Sequence, residues 1–183
     1  MFMNEFMKEQ NMSDLKVKGV EANDIIKRRI RFLLDAAKHE LKKDQVVTYA
    51  MRVLSNHATI GKDAGSAEIK KQNKTVSVNA KQLLYSADLA TYCQNTINEH
   101  PKPIQLTWEW LKNHAGTLSI EEVWNEFINN TMVTVTKDED NYIKAKGLTS
   151  IGNIKSRYTD LGITIVTLPE TPRNFHKRLK QRA

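Results

Sequence analysis

Cysteine is almost missing from this chain: Cys93 stands alone among 183 residues. One thiol closes no internal disulfide, so the fold has to rest on packing, and a reducing, cytoplasmic setting is expected. Long apolar runs are missing too. None approaches the roughly 20 residues that span a bilayer, and the N-terminus lacks the apolar core of a secretory leader. No membrane association is therefore expected. The seven glycines form no phosphate-cradling loop, and neither a nucleophile elbow nor a zinc-protease helix signature occurs. His39, His57, His100, His114 and His176 are scattered, none at ligand spacing from another or from Cys93. No metal site, cofactor or catalytic site is expected.

Positive charge, by contrast, is in excess and unevenly spread. Lys and Arg outnumber Asp and Glu by 28 to 21. Residues 144–183 hold nine of those cations against two acids, Asp160 and Glu170, so the first 143 residues balance at 19 of each sign. A basic end on a neutral body suits a polyanion, because neutralised phosphates release counterions. The alternative is a solvated basic tail.

At 183 residues the chain is long enough for a sizeable core in one domain or two small ones. Residues 1–20 show no sustained period and are expected to be mobile. Residues 21–43 predict the strongest helix, capped by Asn23 or Asp24, with Ile26, Ile30, Leu33, Leu34, Ala37 and Leu41 on one side. Its basic outer face suits solvent, a nucleic-acid groove or a dimer partner. A helix over 46–55, a glycine-bearing connection over 57–66 and a short strand over 75–78 follow. One helix is expected over 79–98, and Pro101 and Pro103 mark the expected end of a helical domain spanning 21–100. Helices over 104–114 and 120–130, joined by a tight turn with Ser119 as cap, form a helix-turn-helix unit. Trp108, Trp110, Leu111, Val123, Trp124, Phe127 and Ile128 are expected to pack it rather than to stack on bases. A strand over 131–136, a polar turn over 137–141 and residues 142–146 suggest a hairpin, or alternatively a helical turn over 142–146. A basic tail over 171–183, with Phe175 and Leu179 at i, i+4, folds against the body or on DNA.

The purpose of the chain is most legible between Gly147 and Leu168. Ser150 is a good N-cap, and Gly162 sits where a left-handed residue ends a helix. Between them Ile151, Ile154, Tyr158 and Leu161 form one apolar stripe, opposite Asn153, Ser156, Thr159 and Asp160. Lys155 and Arg157 project on either side of that stripe, and a β-branched run, 163–168, follows directly. Turn, helix, stop and strand in this order resemble the end of a winged helix-turn-helix domain, where the recognition helix runs into its wing. The stretch also resembles the DNA-binding portion of phage homing endonucleases, without that family's catalytic motif. These resemblances imply an α+β, mainly α fold with a helical N-terminal part and a winged-helix-like module over 104–170. They imply a double-stranded DNA partner read in a sequence-specific way by a homodimer. They also imply a transcriptional repressor of phage or mobile-element origin.

The residues expected to meet DNA are Lys144, Lys146, Ser150, Asn153, Lys155, Ser156 and Arg157, with Arg173, Lys177, Arg178, Lys180 and Arg182 from the tail. Arg157 is the one expected to reach a guanine, and the tail is expected to meet phosphates. Two rival readings stand beside this one. Asp63 with Glu68-Ile69-Lys70 has the residue types, though not the spacing, of a metal-dependent nuclease. The aromatic helices over 104–130, if exposed, would instead suit a protein partner.

Overall fold

The computed structural model of the protein describes residues 23–39, 43–147 and 154–181. In chain order its elements are α1 (Asp24–Lys38), α2 (Gln45–Ile60), α3 (Ser66–Gln72), β1 (Thr75–Ser77), α4 (Val78–Ser86), α5 (Leu89–Asn95) and β2 (Thr96–Glu99). These are followed by α6 (Ile104–His114), α7 (Ile120–Asn129), β3 (Val133–Thr136), α8 (Lys137–Ala145), α9 (Ile154–Asp160), β4 (Ile165–Thr167) and α10 (Pro172–Lys180). The expected α+β, mainly α class is what these elements form. Among the described residues no helix is long and apolar enough to cross a membrane. The expectations for residues 1–20, and for Leu41, lie outside the described residues.

Four helices make one layer. The Asn23 side chain accepts from the Ile26 amide and starts α1, and of the expected stripe Ile26, Ile30, Leu33 and Ala37 are buried and Leu34 partly so. Asp44 caps α2, which runs past Ser55 to Ile60 and stops at Gly61, with φ 76°. Against this pair lie α6 and α7, and Met51, Leu54, Trp108, Leu111, Val123, Trp124 and Phe127 share one core with α1. Trp108 and Trp124 are buried, so these rings pack the protein and offer no platform to a base.

The other layer is a sheet in the order β2-β3-β1-β4. β1 and β3 are parallel, with Val76 beside Thr134. β2 runs antiparallel to β3 and β4 antiparallel to β1. Alternation along the strands sends Val76 and Val166 to one face, where Ala80, Leu84, Tyr92, Leu168 and Phe175 cover them. Val133, Val135, Ile97 and Ile165 go to the other face, beneath Ile143, Tyr158, Leu161 and Ile163. Helices therefore flank the sheet on both sides, α4, α5 and α10 on one and α8 and α9 on the other.

Three sequence expectations are corrected here. The hairpin over 131–146 is absent, and the alternative, a helical turn over 142–146, is the end of α8, because Thr136 ends β3 and caps that helix in a reciprocal box with Glu139. The acidic turn at Asp138, Glu139 and Asp140 is instead the first turn of α8, where negative charge suits the helix dipole. The single helix over 79–98 is two helices and a strand, broken where Asp88 accepts from the Thr91 amide and starts α5. Pro101 and Pro103 do not divide the chain into successive domains. Each layer takes elements from both sides of them, α1 and α2 with α6 and α7, and β1 and β2 with β3 and β4.

The sheet holds an internal repeat that the sequence reading did not find. Strand, helix, helix, strand occurs as β1-α4-α5-β2 and again as β3-α8-α9-β4. Each closing strand pairs with the opening strand of the other unit. Exchanging β1 with β3 and β2 with β4 reproduces the sheet order in reverse, the mark of an internal two-fold between the parallel strands. Both units start their first helix on a hydroxyl cap, Ser77 and Thr136, and bury a tyrosine from the second, Tyr92 and Tyr158. At the junction the Glu139 carboxylate accepts from the Ser77 hydroxyl at 2.6 Å and from Asn79 Nδ2 at 2.9 Å. It also accepts from the Thr136 amide at 2.8 Å and from the Thr136 hydroxyl at 3.1 Å.

Removing a buried acceptor strands its donors, at about 1–3 kcal/mol for each group left unpaired. Glu139→Ala is expected to lower the unfolding free energy by about 2–4 kcal/mol, and Glu139→Gln by roughly half as much because its carbonyl still accepts. Urea denaturation of the three proteins measures this. Equal midpoints would show that the carboxylate does not tie the units together.

Candidate nucleic-acid interface

The helix, turn, helix unit expected over 104–130 is α6 and α7, with Ser119 as its cap, and its apolar faces are committed to the four-helix core; the helix expected before Gly162 is α9. Ile143 from α8, Tyr158 from α9 and Leu161 just after it pack on the sheet. Between the helices Gly147 takes φ 67°, a left-handed conformation that costs other residues energy. After α9, Gly162 takes φ 68°, and the Ile163 amide donates back to the Tyr158 carbonyl at 2.8 Å. The helix thus stops where its glycine was expected to stop it, and β4 follows as the strand expected from the β-branched run.

The cations expected to meet DNA divide into two groups on opposite faces of the sheet. On the α8 side Lys144 and Lys146 are exposed. Lys144 Nζ lies 2.5 Å from Asp140 Oδ2, and the Lys146 ammonium sits 5.5 Å from the centre of the exposed Tyr142 ring. Lys155 and Ser156 lie in α9, while Ser150, Asn153 and Arg182 fall outside the described residues. On the opposite face the expected tail is α10, capped by Thr171 with proline in its first turn. Phe175 holds it down against Tyr85, ring centres 4.8 Å apart. Arg173 pairs with Glu68 and Arg178 with Glu170. Lys177 and Lys180 are exposed and make no ion pair among the described residues.

Arg157 is a correction. Its guanidinium is buried, 1 % exposed, in an ion pair with Glu99, and Nη1 donates to the Pro101 carbonyl at 3.4 Å. Glu99 also accepts from the Tyr158 hydroxyl. Burial lowers the Arg157 pKa and pushes the Tyr158 phenol up. The periodicity that put Tyr158 inward left Arg157 beside the stripe, and only the distant Glu99 draws it in. Arg157 therefore holds α9 to β2 and does not face a groove.

The residues of the nuclease reading are likewise dispersed in their bonding. Asp63 accepts from Asn56 at 3.0 Å and from Tyr49 at 3.3 Å. Lys70 donates to the Cys93 carbonyl at 2.7 Å. Glu68 binds Gln72, Arg173 and Lys62, which hold its pKa down to about 2. Since the folded pKa is depressed, this clasp between α3 and α10 is at full strength above the ordinary glutamate range and is released as pH falls toward 2. Among the described residues no group of three or more His, Cys, Asp or Glu is placed to hold a metal ion.

The missed signals were local ones. Thr136-Lys-Asp-Glu139 spells a capping box, which marks the start of α8 and with it the first half of the helix pair. Lys71, on α3 beside α10, had no sequence signal at all. Comparison of the chain with protein-family models, curated proteins and solved structures finds no match.

Breaking a buried ion pair from one side typically costs about 3–5 kcal/mol, whereas an exposed lysine is worth under about 0.5 kcal/mol. Arg157→Ala is thus expected to destabilise the fold by that larger amount, and Lys146→Ala, at an exposed position, to leave stability unchanged, by chemical denaturation. An Arg157→Ala protein as stable as the parent would return Arg157 to the outer face.

Proposed function

We propose that this protein binds double-stranded DNA through α8, the turn at Gly147 and α9, as a cytoplasmic transcriptional repressor that acts by binding and not by catalysis. The observation that carries the reading is the helix pair itself. A capped helix, a left-handed glycine turn, a second helix stopped by Gly162 and a strand occur in the order of a winged helix-turn-helix. Ile143, Tyr158 and Leu161 fix the pair to the sheet. Lys155 and Ser156 of α9, with Asn153 before them, are the residues proposed to read base edges, and Lys144 and Lys146 to meet phosphates. With Arg157 withdrawn into the fold, specificity falls to these smaller groups and to DNA shape.

Titrating labelled duplexes at several salt concentrations tests this. Affinity is expected to fall steeply with salt, and Lys144→Ala with Lys146→Ala to reduce the slope by about 1 per lysine. Lys155→Ala with Ser156→Ala is expected to erase the preference for selected over scrambled duplexes. Absence of binding at low salt would end the proposal.

A homodimer belongs to the same reading, and one observation favours it. Ile25, Phe32, Val46 and Tyr49 are exposed together on the outer side of α1 and α2, around a groove that also presents Arg28 and Arg29. Such a patch is unusual on a surface that stays solvated. Light scattering at micromolar concentration is expected to give a dimer, and Phe32→Glu with Val46→Glu to give a folded monomer. A monomeric parent, free and on DNA, would remove this part.

A further inference from the structure

The internal two-fold gives α8 and α9 a counterpart on the other face of the sheet, α4 and α5, which are joined by the Ala87-Asp88 turn. Beside that turn lies a cleft of about 630 Å³ enclosed by α3, the start of α5 and α10. Lys71, Arg173, Lys177 and Lys180 line it, with Asp88 and His176. The charges do not cancel within it. Arg173 is paired with Glu68, and Asp88 is engaged as the cap of α5. Lys71, Lys177 and Lys180 make no ion pair among the described residues. The Nε2 of His176 is enclosed without a hydrogen-bond partner. Burial keeps its ring below the ordinary histidine pKa, against the pull of Asp88. At neutral pH the ring adds a hydrogen-bonding group and leaves the charge to the lysines.

Three unpaired ammonium groups from two helices, over a floor of Leu89 and Ala90, match the phosphates of a nucleic-acid backbone, which lysines meet as point charges. Arg173, the planar group of the lining, is engaged by Glu68. The position of the cleft decides what DNA it meets. α10 and α5 pack on the face of Val76 and Val166, whereas α8 and α9 pack on the face of Val133 and Val135. The two surfaces look away from one another across three layers. A duplex held by both would have to bend sharply round the protein, at an elastic cost that two separate segments avoid. We propose that the cleft holds the phosphate backbone of a second duplex segment, so that one chain bridges two stretches of DNA. This rests on the reading of α8 and α9 as the first DNA surface.

The test uses the full chain with one biotinylated and one fluorescent 20-base-pair duplex, and scores fluorescence retained on streptavidin. Affinity for a single duplex is measured in parallel. The parent protein is expected to retain the fluorescent duplex. A Lys71→Gln, Lys177→Gln, Lys180→Gln triple variant is expected to lose at least tenfold of that signal while keeping its single-duplex affinity within about threefold. Circular dichroism and thermal melting confirm that the variant is folded. The single variants Lys177→Gln and Lys180→Gln each give a graded loss if the triple variant fails to fold. Bridging that survives in the variants, as two chains joined through α1 and α2 would give, overturns the inference. So does an equal loss of single-duplex affinity, which would place the cleft on the first duplex. A parent that binds one duplex and never bridges overturns this inference alone, and a parent that binds no duplex overturns both readings.

Discussion

A buried carboxylate is costly unless every lone pair finds a donor, and Glu139 meets that condition with groups from both halves of the sheet layer. Its own cap, Thr136, supplies an amide and a hydroxyl, while Ser77 and Asn79 come from the start of α4. A bond that would ordinarily close one helix end thus fastens two. The parallel pair β1 and β3 lies directly behind these caps, and the direction in which α4 and α8 leave the sheet follows from it. With those helices on opposite faces, the Tyr92 and Tyr158 cores are separate, and the four-helix layer and α10 pack around this frame.

In the C-terminal quarter the described arginines are all paired, and Lys144 meets Asp140. Arg157, Arg173 and Arg178 each meet a glutamate, Glu99, Glu68 and Glu170 respectively. Among the described residues Lys177 and Lys180 make no ion pair. A guanidinium is planar and presents several donors in a fixed fork, which suits holding one element against another. An ammonium on a flexible stem suits a partner whose position varies. The excess of cations in the sequence is therefore partly structural, and the surface that can attract a polyanion is narrower than the sequence count suggests.

How far the fold could be read from the sequence depended on the range of the interaction that fixes each element. The stripe of α1 and its Asn23 cap are local, and both were legible. So were Gly162 and the strand after it, because a left-handed stop and a β-branched run need no distant partner to be recognised. The start of α8 was written as Thr136-Lys-Asp-Glu139, but the run of acids that favours a helix N-terminus also resembles a solvated turn. The four residues of β2 are strand only because β3 lies beside them. The placement of Arg157 depends on Glu99, far away in the chain, and periodicity alone left that side chain free. Lys71 comes beside α10 through the docking of Phe175 on Tyr85 and the pairing of Arg173 with Glu68, neither of which a sequence pattern specifies.

The exchange of closing strands has a consequence for how the chain reaches its folded state. Val76 must pair with Thr134 on one side and with Val166 on the other, so the first unit lacks its pairing partners until Val166 has been made. Long-range pairing of this kind closes large loops before any contact rewards them, and it slows folding relative to helical proteins of similar size. On the ribosome, α1 and α2 emerge early and also wait, since their apolar faces are covered by α6 and α7 from beyond β2. Neither layer completes first, and a chain cut anywhere near its middle leaves both open. The protein is in this sense indivisible, and its assembly is governed by the arrival of its last strand.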